Sequence, residues 1–197
     1  MSKESKDWLE QMARLDYIRP EDIPNIELYM DQMTTFMEQQ LSYTKRTPEE
    51  KIMTKTMINN YTKNKLLPPP EKKKYTKDHM ILLIFIYYFK SIMSIADIKE
   101  VLTPLTEHCL GKEQDSEDKV GLFEVYQRLF QLMNEHYYPM KEELERLKEK
   151  AETAFNQEGE KGEFLNKLSY MMLLSYDIYI RKQMIESMID EMGEDIE

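Results

Sequence analysis

Glycine is scarce in this chain. Five occur in 197 residues, at Gly111, Gly121, Gly159, Gly162 and Gly193, so the first 110 residues contain none. Loops that cradle phosphate by close backbone approach need glycine, which excludes Walker-type and Rossmann-type nucleotide sites from that half. The glycines further on have neither spacing, and no GxSxG or HExxH sequence is present, so nothing argues for an enzyme. The single cysteine, Cys109, has no intramolecular disulfide partner, and His79, His108 and His136 stand too far apart for a local ligand motif. No structural metal or cofactor is expected. The longest apolar run, Met80 to Phe89, is ten residues, about half of the roughly 20 that cross a bilayer, so it reads as a buried helix segment with no membrane span. Met1 to Gln11 is polar around Trp8 and lacks the apolar stretch of a secretory signal, which leads to the expectation of a cytoplasmic protein.

What is present is a globular composition, 41% apolar and 32% charged, long enough for one medium domain or two small ones. The net charge of −10 is unevenly spread. Between Thr44 and Lys77 stand ten lysines and arginines against Glu49, Glu50 and Glu71, a local +7 that leaves −17 for the remainder. A basic island in an acidic chain gives a physical reason to expect an anionic partner there and repulsion elsewhere. A solvated lysine-rich loop is the plainer reading of the same charges.

Pro20 and Pro24 mark an irregular stretch before a helix over about Leu28 to Leu41, whose apolar residues recur at three- and four-residue spacings. A loop over Ser42 to Glu50 follows. The next helix starts near Thr54, a hydroxyl able to cap free N–H groups, and ends before Pro68. Met57, Ile58 and Tyr61 face inward together, which leaves Lys55, Asn59 and Lys63, with Thr56 and Asn60 beside them, on the opposite face. Pro68, Pro69 and Pro70 forbid continuation, so the chain leaves in an extended or turning conformation that carries Lys72, Lys73 and Lys74, either as a wing hairpin or as an extended arm. Thr76 and Asp78 open the apolar helix through Phe89. Ser94 with Asp97 resembles a capping box for a short helix that Pro104 closes. Beyond an acidic linker the spacing predicts helices over about Gly121 to Tyr138, Pro139 to Gln157 and Glu163 to Met192. In the last of these, Tyr170 to Ile180 is apolar on nearly every face and calls for burial all round, with Asp177 on the wetter side.

Phosphate contact needs cations, and base reading favours asparagine, which bonds an adenine edge with both donor and acceptor, or lysine at guanine. Lys55, Thr56, Asn59, Asn60 and Lys63 on the second helix, with Lys72, Lys73 and Lys74 on the excursion, supply that chemistry. Asn60, Tyr61, Leu66, Leu67 and Pro69 resemble the recognition-helix signature of MerR-type regulators, a tyrosine followed by Gly-Leu-Leu-x-Pro. Tyr75 to Met80 is similar to that family's Tyr-Ser-x-Glu-Asp-Leu, and Ser94 to Leu102 to its Ser-Leu-x-Glu-Ile-x-x-Leu-Leu. Asn59 stands where the family usually has arginine, and Lys65 where it has glycine. Ile23, Pro24, Asn25 and Ile26, leading into Tyr29, Met30, Asp31 and Gln32, also look like an uncharacterised bacterial family known only as a domain of unknown function.

The resemblance covers about Pro24 to Leu102 and implies a winged helix-turn-helix there; together with the acidic linker and the helical spacing beyond it, the expectation is an all-α protein divided as an N-terminal arm 1–23, a DNA-binding domain 24–105, a linker 106–119 and a C-terminal helical domain 120–197. The resemblance implies a sequence-specific regulator of transcription that binds double-stranded DNA as a homodimer; it does not extend to a ligand, and a small-ligand response of the C-terminal helices is a separate expectation. The rival reading is a helical adaptor for another protein that never touches DNA.

Overall fold

The computed structural model describes residues 18–110, 120–155 and 159–194. It is mainly helical, with one two-stranded sheet. The chain divides into two units, one running to Gln131 and one beginning at Leu132.

The first unit opens with a 3-10 turn at Pro20–Asp22 and the short strand β1 (Leu28–Tyr29). Helix α1 (Met30–Leu41) buries Met33, Phe36, Met37 and Leu41, the three- and four-residue stripe expected from sequence. The connection to the next helix is ordered by Glu38, which pairs with Lys45 and accepts the Ile52 N–H at 3.4 Å. The Lys45 ammonium holds that carboxyl below its usual pKa. Lys90 fixes the other end of the loop, donating to the Ile52 carbonyl at 3.1 Å from above the Tyr87 ring.

Helix α2 (Lys55–Lys63) is followed by strand β2 (Lys74–Tyr75), which pairs antiparallel with β1 in the register Leu28↔Tyr75 and Tyr29↔Lys74. Helix α3 (Lys77–Phe89) is the central strut: Met80 through Ile86 are all buried. They join one cluster with Met37 of α1, Ile58 and Tyr61 of α2, and Ile98 and Leu102 of α4 (Ile95–Leu110). Leu122 and Tyr126, at the start of α5 (Leu122–Glu152), complete it. Tyr126 donates its hydroxyl to the Ile18 carbonyl and meets Phe85 edge-on at 5.7 Å. Ile18 and Ile23, which the sequence reading leaves to an arm, are therefore core residues of this unit.

Two prolines do not end helices as expected. Helix α4 continues past Pro104 to Leu110, because Leu105, Cys109 and Leu110 keep packing against the core and outweigh the roughly 3 kcal/mol that an internal proline costs. Helix α5 likewise runs through Pro139, since the residues beyond it are strong helix formers joined by pairs such as Lys141–Glu145 at 4.0 Å. Residues 111–119, most of the expected linker, lie outside the described residues.

In the second unit, α6 (Glu160–Glu194) returns beside the end of α5. Asn166 accepts the Phe155 N–H at 2.9 Å and donates to the Glu152 carbonyl at 2.8 Å, closing the C-terminus of α5. The Tyr170 hydroxyl donates to the Leu144 carbonyl at 3.3 Å, and Arg181 lies 3.6 Å from Glu143. Partners retreat along α5 as α6 advances, so these two helices are antiparallel. The expected burial of Tyr170 to Ile180 on all sides is not met: Met171, Met172, Tyr176, Ile178, Tyr179 and Ile180 are exposed. One neighbouring helix can cover one face of a cylinder, and the remaining faces stay open.

Candidate nucleic-acid interface

Helix α2 begins as its sequence suggests. Thr54 is in an extended conformation, and its hydroxyl accepts the Met57 N–H at 3.2 Å, leaving the N–H groups of the first turn directed outward. Ile58 and Tyr61 are buried. Lys55, Thr56, Asn59, Asn60 and Lys63 are all exposed, so the five side chains singled out on this helix share its open side.

The helix ends in a left-handed residue. Lys65 has φ 61°, its N–H donates to the Thr62 carbonyl at 3.1 Å, and the Leu66 N–H reaches back to the Tyr61 carbonyl at 2.9 Å. Those two bonds form a Schellman motif, with Lys65 at the position where glycine is favoured. Leu66 and Leu67 then turn into the core. With Lys65, Thr62, Pro68, Pro69, Leu102 and Thr106 they line a shallow cleft of about 150 Å³, well under the ~300 Å³ at which small-molecule pockets begin.

After the three prolines the chain forms a tight turn, the turning one of the two courses that the prolines allow. The Lys74 N–H donates to the Glu71 carbonyl at 2.8 Å, and Glu71 and Lys74 form an antiparallel bridge. Lys72 and Lys73 between them have φ 46° and 66°. Positive φ at both central residues marks the mirror-image turn that normally takes Asn-Gly. Two lysines there carry backbone strain of about 1 kcal/mol or more each, and strain of this kind gathers where chain is held for a purpose. The three prolines restrict the approach, and the β1–β2 pairing fixes the return.

The pairing also relates the turn to α2. Lys74 stands across from Tyr29 and lies 3.1 Å from Glu27, whose carboxylate raises the lysine pKa. Lys55 pairs with Asp31. These two pairs tie the root of the turn and the start of α2 to carboxylates four residues apart, Glu27 and Asp31, and so bring Lys74 and Lys55 to neighbouring parts of the first unit. Lys63, Lys72 and Lys73 make no ion pair among the described residues, whereas Lys55 and Lys74 are neutralised by Asp31 and Glu27. Those two carboxylates carry no local signal, since the Glu27–Lys74 contact joins residues 47 apart.

Beneath the turn lies His79, three residues into α3. Its Nδ1 accepts the Thr76 N–H at 3.1 Å and lies 2.8 Å from the Thr76 hydroxyl, the place a glutamate or glutamine takes in a capping box. The Tyr75 ring meets it edge-on at 5.5 Å. An accepting Nδ1 puts the proton of the neutral ring on Nε2, which is buried without a hydrogen-bond partner among the described residues. Burial holds this histidine below its usual pKa, partly opposed by the Pro68 and Pro69 carbonyls and by the Asp78 and Glu71 charges. Among the described residues, no three His, Cys, Asp or Glu side chains gather as metal ligands, and no helix is long and apolar enough to cross a membrane.

Residues 18–129, more than half of the chain, match a family described as a domain of unknown function (DUF1836), and the chain belongs to that family. No curated protein and no solved structure matches it.

Proposed function

We propose that the chain is a sequence-specific DNA-binding regulator of transcription, in which α2 enters the major groove and the Glu71–Lys74 turn reaches the neighbouring phosphates. The observation that carries this reading is the exposed face Lys55, Thr56, Asn59, Asn60 and Lys63, linked through the Lys55–Asp31 and Lys74–Glu27 pairs to a strained turn bearing two lysines that make no ion pair among the described residues. Helix, connection, helix, hairpin turn and returning strand are also the parts of a winged helix-turn-helix of the MerR type. The connection, Ser42 through Thr54, is longer than the three or four residues usual between such helices. In this reading Asn59 and Asn60 read base edges, the lysines neutralise phosphates, and the C-terminal helices join two copies. The cleft beside Lys65 is too small for most effectors, so a ligand response is assigned to the second half of the chain. The rival adaptor reading draws on the exposed apolar residues of α6.

Fluorescence anisotropy on duplexes selected from genomic fragments separates the two. The regulator binds with an affinity that falls steeply and linearly in log salt. Replacing Lys72, Lys73 and Lys74 together by Glu lowers it at least 100-fold while leaving the circular dichroism unchanged. Asn59→Ala removes a bidentate bond to a base edge and costs about 1–3 kcal/mol of discrimination against the wrong base. Unchanged affinity in the triple variant, or a wild-type chain indifferent to duplex DNA, overturns the reading.

A further inference from the structure

Asn166, Tyr170 and Arg181 turn one side of α6 toward α5. Phe164, Leu168, Met171, Ser175 and Ile178 follow one another at spacings of four, three, four and three. At 100° per residue, Leu168 lies nearly opposite Tyr170, so this series runs along the side of the helix turned away from α5. Met172 and Tyr179 widen it. Alternation of four and three is the pattern of two helices packed lengthwise on each other, knob into hole. Here the knobs have no partner among the described residues: Phe164, Leu168, Met171, Met172, Ile178 and Tyr179 are between 39% and 65% exposed. No charged residue interrupts the stripe. Six large apolar residues this exposed along one uncharged stripe make the kind of contiguous apolar patch that marks an interaction surface.

We infer that this stripe is the surface on which two copies of the chain pair, α6 against α6, antiparallel and crossing at Ser175. The inference gives residues to the dimerisation step of the proposed function and rests on that reading for its purpose, though not for its geometry. The stripe is symmetric about its small residue. Met172 and Ile178 stand three positions to either side of Ser175, and Met171 and Tyr179 four. A two-fold interface needs such self-complementarity, because each residue meets the symmetry mate of another in the same patch. At the centre a serine lets the backbones approach, and across it Met171 meets Tyr179 of the second copy.

The direction follows from Lys182, the next member of the spacing series. Side by side in register, two parallel helices would set Lys182 against its own copy and align their dipoles unfavourably. In the antiparallel arrangement Lys182 lies across from Leu168, covers it with its aliphatic stem and keeps its ammonium in water. Ile189, further along the helix, is already buried within its own chain, so the stripe ends near Tyr179.

Sedimentation equilibrium and cross-linking of the full chain test this. The wild-type chain sediments as a dimer, and Met171→Glu with Ile178→Glu raises the dimer dissociation constant at least 100-fold with helical dichroism unchanged. In a Cys109→Ser background, Ser175→Cys forms a disulfide-linked dimer under mild oxidation. Leu168→Cys does not, because antiparallel pairing holds the two copies of that position about 20 Å apart. A wild-type monomer at 100 μM overturns the inference and leaves the stripe to another segment or protein. So does a dimer indifferent to the two glutamates, or cross-linking at 168 as efficient as at 175. The cross-link needs no DNA. A dimer that binds no duplex therefore removes the regulator reading alone, and a duplex-binding chain without the cross-link removes the stripe alone.

Discussion

In α3, the seven consecutive apolar residues Met80–Ile86 are all buried; in α6, Met171, Met172, Ile178, Tyr179 and Ile180, drawn from a stretch that only Ser175 and Asp177 interrupt, are all exposed. The two segments differ in surroundings more than the two polar residues in the second account for. Around α3 the core cluster draws on α1, α2, α4 and the start of α5, so every direction around its axis meets a packed neighbour. Helix α6 is held to the end of α5 by a few polar contacts on one side. A continuous apolar run thus states a demand for cover without saying which chain supplies it. In the first unit the chain covers itself, and in the second we assign the cover to another copy.

The largest effect that sharpens this contrast comes from trimming one isoleucine in each segment. Ile84 is 0% exposed and Ile178 is 65% exposed. Ile84→Ala removes methyl groups from a closed core and costs about 2–5 kcal/mol of unfolding free energy in urea denaturation. Ile178→Ala leaves the chemical stability of the first unit unchanged within about 0.5 kcal/mol and weakens association instead, read as a rise in the dimer dissociation constant. Equal losses of stability at the two positions would break the comparison.

Acid provides the next separation. The His79 ring must stay neutral to accept the Thr76 N–H, and burial holds its folded pKa below the ordinary value near 6.5. Above about pH 6.5 the ring is neutral in both states and its contribution to stability is complete. As the pH falls below 6.5 toward the lowered folded value, the unfolded chain takes up the proton more readily, so stability declines. Denaturation of the first unit is therefore expected to become easier as the pH falls below about 6.5, with dimerisation through α6 unaffected by this group. His79→Gln supplies an accepting side chain that does not titrate, and it flattens this part of the pH profile. A slope that persists in the glutamine variant assigns the acid sensitivity to another group.

The parts legible in sequence are those whose cause is local. The caps at Thr54–Met57 and Ser94–Asp97 join residues three apart, and the exposed face of α2 follows from where Ile58 and Tyr61 must point. Strand β1 is hidden because two residues have no period and their partner strand comes some 45 residues later. Asp31 and Glu27 are hidden for the same reason, so the sequence shows the lysines of the candidate site without the carboxylates that neutralise two of them. Pro104 and Pro139 mislead because a proline penalty is local, whereas the packing or helix propensity that overcomes it is spread over the following turns. The left-handed residues at 72 and 73 give no sign of themselves, because lysine, unlike glycine or asparagine, does not mark such a position, and at 65 the sign comes only from the glycine that the resembled family has there.

The smallest effect is a gain in the first unit alone. Lys65 closes α2 with φ 61°, in a conformation that costs a residue bearing a Cβ roughly 1 kcal/mol relative to glycine. Its side chain is exposed and makes no ion pair among the described residues, so Lys65→Gly removes strain without opening the core. The offsetting term is the greater freedom that glycine gives the unfolded chain, which returns part of the gain. The expected net is a stabilisation of about 0.5 kcal/mol, read as a higher urea midpoint at unchanged slope. The same change at Lys72 or Lys73 also relieves strain, but there it removes a cation proposed to meet phosphate, so stability rises while duplex affinity falls. Lys65→Gly raising stability with affinity nearly intact, against Lys73→Gly raising stability with affinity reduced, separates a lysine at a helix terminus from one at the proposed DNA surface. A drop in stability at Lys65→Gly would mean that its side chain holds the end of α2 through packing rather than merely tolerating the left-handed backbone.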